Sequence, residues 1–462
     1  MGKNKKRNQH KTAVPCAPAP LPPPVSSSLF SLLQHRVSEL PFATYTASAL
    51  TTRRPYRTIT PASTARDYWI RFARTLHPTT CIHSHVLFDA PLPITEMDFH
   101  AQKNYVAVSS GARMAVASLT LPNPRPVEDC WGGELLEEMR VDNAQDSKTN
   151  DESVVLQDMN VLDRRLVHEL SEITQLCFAD RHDGVANASS LIVSTCLGVG
   201  SRSGSLQIYS YECDPKEDRL NAFSLRYRFS PRKASIWTCA VSGTREAFVV
   251  ASGASQNQVF ITTPQQTNFR TQTLLLPTLP NSGSSDVFAQ VFQPSSGALL
   301  LSGTRGGNLF ASDWRRATGQ TSALHLGPAS QSKSPLCSLV FRSETGLLAS
   351  HMDGAMRYWD LRWPRAPMCV MRNVNSFTKV NVELFDGSGI AVGAGEDGVI
   401  RTWDVDMGVQ VAERRVCGDG MGRELMRVKV LTEDTRSGLP GDVPSGVWVS
   451  NREKILLYST NL

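Results

Sequence analysis

The sequence predicts an all-β fold, a β-propeller of about seven blades. Three observations carry that expectation: one strand–turn–strand unit recurs along the chain, its spacing is that of a propeller blade, and no apolar stretch is long enough to span a bilayer. The clearest copies are Ser350-His-Met-Asp353-Gly354-Ala-Met-Arg-Tyr358-Trp359-Asp360 and Ala394-Gly-Glu-Asp397-Gly398-Val-Ile-Arg-Thr402-Trp403-Asp404, offset by 44 residues. Gly303-Thr-Arg-Gly306-Gly307-Asn-Leu-Phe-Ala-Ser312-Asp313 precedes them at an offset of 47. Weaker copies lie at Ser110-Gly111, Ser203-Gly204, Gln256-Asn257 and Arg452-Glu453.

With the second turn residue as marker, the units fall at 111, 204, 257, 307, 354, 398 and 453, steps of 44 to 55 residues after a first step of 93. Each has an earlier apolar strand as well, such as Ile390-Ala-Val-Gly393. Short strands joined by tight polar turns at this period, with Trp-Asp closing a late strand, are the signature of WD40 repeats. Closing the ring removes the exposed sheet edges. The Gly-His dipeptide of complete WD40 units, which helps hold the Trp-Asp corner, is absent, so the blade number carries a margin of about one.

The chain of 462 residues is 41% hydrophobic and 20% charged, enough to build a full core. Ten Cys without a Cys-x-x-Cys pair suit reduced thiols in a nuclear or cytoplasmic setting better than a disulfide scaffold or zinc ribbon. The N-terminus leads into prolines and does not read as a secretory signal. Net charge is +5, and residues 1–12 alone supply it through Lys3, Lys5, Lys6, Arg7 and Lys11. Because the remainder is neutral, nucleic-acid binding is not the first expectation, and a basic, Pro-rich tail over 1–25 fits a nuclear-import signal or a plain solvated arm equally well.

Residues 26–83 read as a short helical module. Ser28 caps one amphipathic stripe of Phe30, Leu33, Val37 and Leu40, and Thr64 caps a second of Trp69, Phe72, Ala73 and Leu76. The module either packs beneath the propeller or offers an apolar face to a partner. The propeller then occupies 84–462, interrupted at about 124–163 by a stretch with eleven acids against Arg125, Arg140 and Lys148, expected to be a disordered insertion.

Candidate chemistry is sparse. Gly393-Ala-Gly395-Glu-Asp-Gly398 matches G-x-G-x-x-G, but no helix follows to hold a phosphate, so it reads as a hairpin turn. Cys81, His83 and His85 alternate and would share one face of a strand, a pattern that departs from usual zinc spacing. No cofactor, metal or catalytic residue is expected. More telling, Asp313-Trp314-Arg315 and Asp360-Leu361-Arg362 follow equivalent strands of consecutive blades, which would bring two Arg out on one face. An Arg fork suits carboxylates or carbonyls of a partner, and an Asp two residues earlier can fix its direction. The next blade reads Asp404-Val405-Asp406 and has no Arg, while Trp359 and Trp403 suit blade core.

The segments 301–315, 348–362 and 391–403 resemble the WD40-repeat cullin-four-associated factors, over about residues 290–460. The resemblance implies a substrate receptor of a cullin-four RING ubiquitin ligase, in which Trp-Asp-x-Arg boxes meet the propeller adaptor, damage-specific DNA-binding protein one, and through it cullin-four. By position, Trp359, Asp360 and Arg362 form a complete box; Asp313 and Arg315 form a partial one, with Ser312 in place of the Trp. The substrate, an unidentified protein, is not implied. A general WD40 scaffold in a nuclear or ribosome-assembly complex is the alternative, and a propeller enzyme with a channel site is a third reading.

Overall fold

The computed structural model describes residues 77–90, 92–100, 105–119, 159–166, 171–180, 190–198, 202–214, 219–242, 248–265, 268–279, 285–316, 323–328, 333–364, 366–375, 381–385, 389–415, 427–432, 444–450 and 454–459. They form seven four-stranded antiparallel sheets, the blades of a propeller. Blade 1 is β2 (Glu96–His100), β3 (Tyr105–Ser110), β4 (Arg113–Leu119) and β5 (Met159–Leu166); blade 2 is β6 (Ile173–Asp180), β7 (Ser190–Cys196), β8 (Ser205–Asp214) and β9 (Arg219–Phe229). Blade 3 is β10 (Ile236–Ser242), β11 (Val249–Ala254), β12 (Gln258–Gln265) and β13 (Asn268–Leu275); blade 4 is β14 (Val287–Phe292), β15 (Leu299–Thr304), β16 (Asn308–Asp313) and β17 (Ala323–Pro328). Blade 5 is β18 (Leu336–Phe341), β19 (Gly346–His351), β20 (Ala355–Asp360) and β21 (Cys369–Arg372), and blade 6 is β22 (Val382–Leu384), β23 (Ile390–Ala394), β24 (Val399–Asp404) and β25 (Val409–Arg415). Blade 7 joins β26 (Arg427–Thr432), β27 (Pro444–Ser450) and β28 (Lys454–Ser459) to β1 (His77–His83) from the other end of the chain.

Position within a blade explains the sequence pattern. The second strand is covered on both faces by neighbouring blades, so β3, β11, β19 and β23 are buried at every residue and are apolar or small but for His351 at the end of β19. The fourth strand lies at the rim, and β25 is exposed over most of its length. All seven marker turns of the repeat join the second strand to the third. Their left-handed backbone at Gly111, Asn257, Gly307, Gly354 and Gly398 explains the Gly and Asn preference. Of the 393–398 glycines, Gly393 lies in β23 and Gly395 and Gly398 frame such a hairpin turn, with Gly398 N–H donating to the Gly395 carbonyl at 3.1 Å.

At Gly354, φ is +79°, and an added Cβ would sit 2.2 Å from the Asn373 carbonyl oxygen. A non-glycine residue costs roughly 1–2 kcal/mol in this conformation before any clash. Gly354→Ala is therefore expected to lower unfolding free energy by more than about 2 kcal/mol in a denaturant titration. An unchanged midpoint would refute this account of the turn.

Ring closure is non-local. Along β1, Cys81 pairs with Leu456 and His83 with Lys454, and Ile82, 2% exposed, enters a core with Trp448, Ile455 and Leu457 of blade 7 and Met97, Phe99 and Val106 of blade 1. The last seven residues of the expected helical module 26–83 are thus propeller strand. The reason is that their partner lies nearly the whole chain away, where no local pattern reports it. Likewise β5 begins at Met159, inside the stretch expected to be an insertion. The amphipathic stripes at 28–40 and 64–76 and the middle of the acidic stretch lie outside the described residues. Cys81 and His83 lie on β1, but His85 belongs to the short helix α1 (Ser84–Phe88), so the three do not alternate on one strand. Among the described residues no group of His, Cys, Asp or Glu is arranged to hold a metal ion, and no helix is long and apolar enough to cross a membrane.

Charged groups on first strands bridge the closing blades. Lys429 of β26 reaches Asp98 of β2 at 3.1 Å and Glu383 of β22 at 3.4 Å, and Arg427 pairs with Glu96. Burial opposes the Lys429 charge, but the two carboxylates outweigh it and hold the ammonium firmly protonated. Between blades 2 and 3, Cys177 Sγ lies 3.7 Å from Cys239 Sγ. The hydrogen bond with Cys239, then burial, pushes the Cys177 thiol well above its ordinary value. A raised thiol pKa stabilises the fold below the unfolded-chain value and withdraws that support as pH rises through the folded one. Iodoacetamide at pH 8 is therefore expected to modify Cys177 at least about ten-fold more slowly in the folded protein than in the unfolded chain, as mass spectrometry would read. Equal rates would contradict it.

Candidate partner-binding face

In a four-stranded meander successive turns alternate ends, so first-to-second and third-to-fourth strand turns share one end of the propeller. Blades 4, 5 and 6 build the same turn there after the third strand. Asp313 Oδ1 accepts the Arg315 backbone N–H at 3.1 Å, Asp360 Oδ1 that of Arg362 at 3.0 Å, and Asp404 Oδ1 that of Asp406 at 3.1 Å. The preceding backbone repeats as well, since Leu361 N–H reaches the Thr345 carbonyl at 2.8 Å and Val405 N–H that of Gly389 at 2.9 Å. An Asp at the strand end is needed because its carboxylate satisfies turn donors that no strand partner reaches.

The side chains then differ. Arg315 donates from Nε to Asp313 Oδ1 and from Nη2 to Asp313 Oδ2, both at 3.0 Å. Arg362 repeats this with Asp360, from Nε at 3.0 Å and from Nη2 at 2.6 Å. These hydrogen bonds hold both guanidiniums more strongly protonated than usual and, through Arg362, hold the Asp360 carboxyl below its usual range. The forks stay open to partners, since the Arg315 and Arg362 side chains are 48% and 58% exposed. Each keeps three of its five N–H groups for a partner. Fixing the fork beforehand lowers the entropy lost on binding.

Trp359 is 6% exposed and packs with Leu309, Leu339 and Leu347 between blades 4 and 5. It positions Asp360 and presents no surface. Its indole N–H has no acceptor among the described residues, in keeping with the missing Gly-His corner. Trp403 is likewise core, 1% exposed.

At blade 6 the third turn position is Asp406, and the structure supplies an arginine from elsewhere. Arg342, in the turn between β18 and β19, grips both Asp406 carboxylate oxygens, with Nη2 at 2.6 Å from Oδ2, and lies 5.7 Å from the centre of the Tyr358 ring. Burial works against its charge, and hydrogen bonds to Asp406 and Tyr358 more than offset that. Gly389, with φ +73°, leaves room for this bridge, because a Cβ there would meet Arg342 Nη2 at 2.8 Å.

Beside Arg362 lies an apolar strip that sequence reasoning missed. Trp363 is 76% exposed, Met368 67% and Met407 63%, with Val370 and Val409 half exposed. The two blades touch here through Cys369, whose Sγ donates to the Val405 carbonyl at 3.1 Å and which crowds Gly408. The signal available in sequence was Trp363 itself, an aromatic in a turn with nothing local to cover it.

Fold and face together define a seven-bladed β-propeller of the WD40 class. In sequence the chain is similar to DDB1- and CUL4-associated factor 4 of Bos taurus, 27% identical over 180 residues, which is 37% of this chain and 33% of that protein. It is similar also to human DDB1- and CUL4-associated factor 4-like protein 2, 29% identical over 178 residues, 37% of this chain and 41% of that protein. The chain thus spans about a third to two fifths of the length of these relatives. Among solved structures, Raptor of Chaetomium thermophilum matches with a TM-score of 0.56 over 95% of this chain and 36% of its own, at 14% identity, a likeness of fold alone. No family model matches.

Proposed function

We propose that this protein is a substrate receptor that links a target protein to a cullin-four RING ubiquitin ligase by seating the Asp313–Arg315 and Asp360–Arg362 turns on the adaptor, DDB1. The observation that carries the reading is the pair of arginine forks, each held by the Asp two residues before it, at the same end of adjacent blades. The names of the relatives support the choice of adaptor and ligase. No side chain performs chemistry in this reading. The receptor holds a target while another subunit delivers ubiquitin, so the rate gain is one of effective concentration. It acts in the nucleus, the cytoplasm or both.

The apolar strip belongs to the same contact, because Trp363 adjoins Arg362 and exposed Trp and Arg are the residues that dominate interfaces. Replacing Trp363 and Met407 by Ser is expected to weaken adaptor binding about ten-fold or more without moving the unfolding midpoint. Affinity equal to that of the unaltered chain would confine the contact to the arginines.

The direct test is purification from cells with the adaptor and cullin-four followed by immunoblot. Both are expected to co-purify. Absence of both from the unaltered protein would overturn the receptor reading in favour of a general WD40 scaffold.

A further inference from the structure

The neutral balance beyond residue 12 conceals a strong local imbalance. Residues 219–285 hold seven Lys and Arg against a single acid, Glu246. Four exposed cations gather at one corner of blade 2: Arg202 before β8, Arg228 near the end of β9, and Arg232 and Lys233 in the loop to β10. Lys233 backbone N–H donates to Ser203 Oγ at 2.8 Å, and Gly204 N–H to the Ala234 carbonyl at 2.8 Å, so the two turns are tied together. Among the described residues none of the four is ion-paired. Glu172 lies nearby, its carbonyl accepting Leu197 N–H at 3.0 Å, and is not paired with them either.

Clustered like charges without ion-pair partners repel and destabilise a fold, so nothing in the packing of blade 2 calls for them. The corner also lies at the end of the propeller opposite the Arg315 and Arg362 turns, since it is built from second-to-third and fourth-to-first strand connections. A partner could occupy it while the other end is engaged.

We infer that this corner binds an extended acidic segment of a protein partner. On the receptor reading above, on which this step alone rests, that partner is the substrate. Arg forks accept carboxylates bidentately, and acidic residues on alternate positions of an extended peptide would face the cluster together. A nucleic acid fits less well. The nearby Tyr227 and Phe229 rings pack on Phe269 and Phe260, with centroids 5.4 Å and 5.0 Å apart, and so offer no stacking platform. Among the described side chains of this strand, the large exposed apolar one is the aliphatic Leu225, 49% exposed.

The test is fluorescence anisotropy with the full chain and a labelled oligo-glutamate peptide, with a labelled oligo-uridine as second probe. Oligo-glutamate is expected to bind, and an Arg232→Glu, Lys233→Glu variant to bind it about ten-fold or more weakly, with its unfolding midpoint and adaptor capture unchanged. The comparison isolates the corner from the basic residues at 1–12, which both proteins share. Equal oligo-glutamate binding by the variant would overturn the site. Tighter binding of oligo-uridine, lost in the variant, would overturn the choice of partner. Loss of adaptor capture by the unaltered chain, with oligo-glutamate binding intact, would remove the receptor reading and leave the acidic-segment site standing.

Discussion

Alanine at both Arg315 and Arg362 is expected to abolish adaptor capture. A hot-spot arginine is worth about 2 kcal/mol or more, so removing both corresponds to a loss of about three powers of ten in affinity. The fold should not notice, because both side chains are about half exposed and their hydrogen bonds close only on the turn itself. The single substitution Arg362→Lys is the sharper probe. It keeps the charge and loses the planar fork that Asp360 orients, so capture should fall nearly as far as with alanine if geometry matters more than charge. Surface plasmon resonance against purified adaptor reads both effects. Retention of full affinity by the double variant would refute the assigned contact even if the protein proves to be a ligase subunit.

Removing the closing strand should have the larger effect on stability. A chain starting at residue 84 loses β1, and with it Ile82 from a core that joins the first and last blades. Emptying one such apolar position costs about 2–5 kcal/mol, against a total stability of roughly 5–15 kcal/mol for a typical domain. The loss also bares the edge of β28, a template for pairing with other chains. The expected result is aggregation on size-exclusion chromatography and loss of a cooperative unfolding transition. A chain starting at residue 77 should retain both normal elution and cooperativity. If the two behave alike, β1 does not close the ring.

Parts of this molecule were readable from the chain because the physics that shapes them is local. Five of the seven marker turns carry a left-handed residue, and Gly or Asn supplies it at Gly111, Asn257, Gly307, Gly354 and Gly398, which made those second-to-third strand turns readable. Asp313 and Asp360 hold Arg315 and Arg362 through a two-residue spacing, so that geometry was legible too. The adaptor contact built on it is a proposal that spacing alone does not test. What escaped depends on ring closure. The strand His77–His83 contains a proline and polar residues, and its partner is some 370 positions away. Arg342 and Asp406, 64 residues apart, meet only once blades 5 and 6 stand side by side. The strip from Trp363 to Met407 is apolar surface shared by two blades and has no period in either. The corner at Arg202 and Lys233 vanished in a chain-wide sum.

The Arg342 bridge to Asp406 has a meaning beyond its own blade. A ring of blades built to one plan presents a docking partner with several rotations that look alike, each one blade step from the next. Along blades 4, 5 and 6 the equivalent turn reads arginine, arginine, then an aspartate already neutralised from within. A partner shifted by one step would meet an occupied carboxylate where it needs an open fork. On the proposed adaptor contact, one acidic residue and the arginine paired with it break the pseudo-symmetry of blades 4 to 6 and disfavour a docking shifted one step toward blade 6.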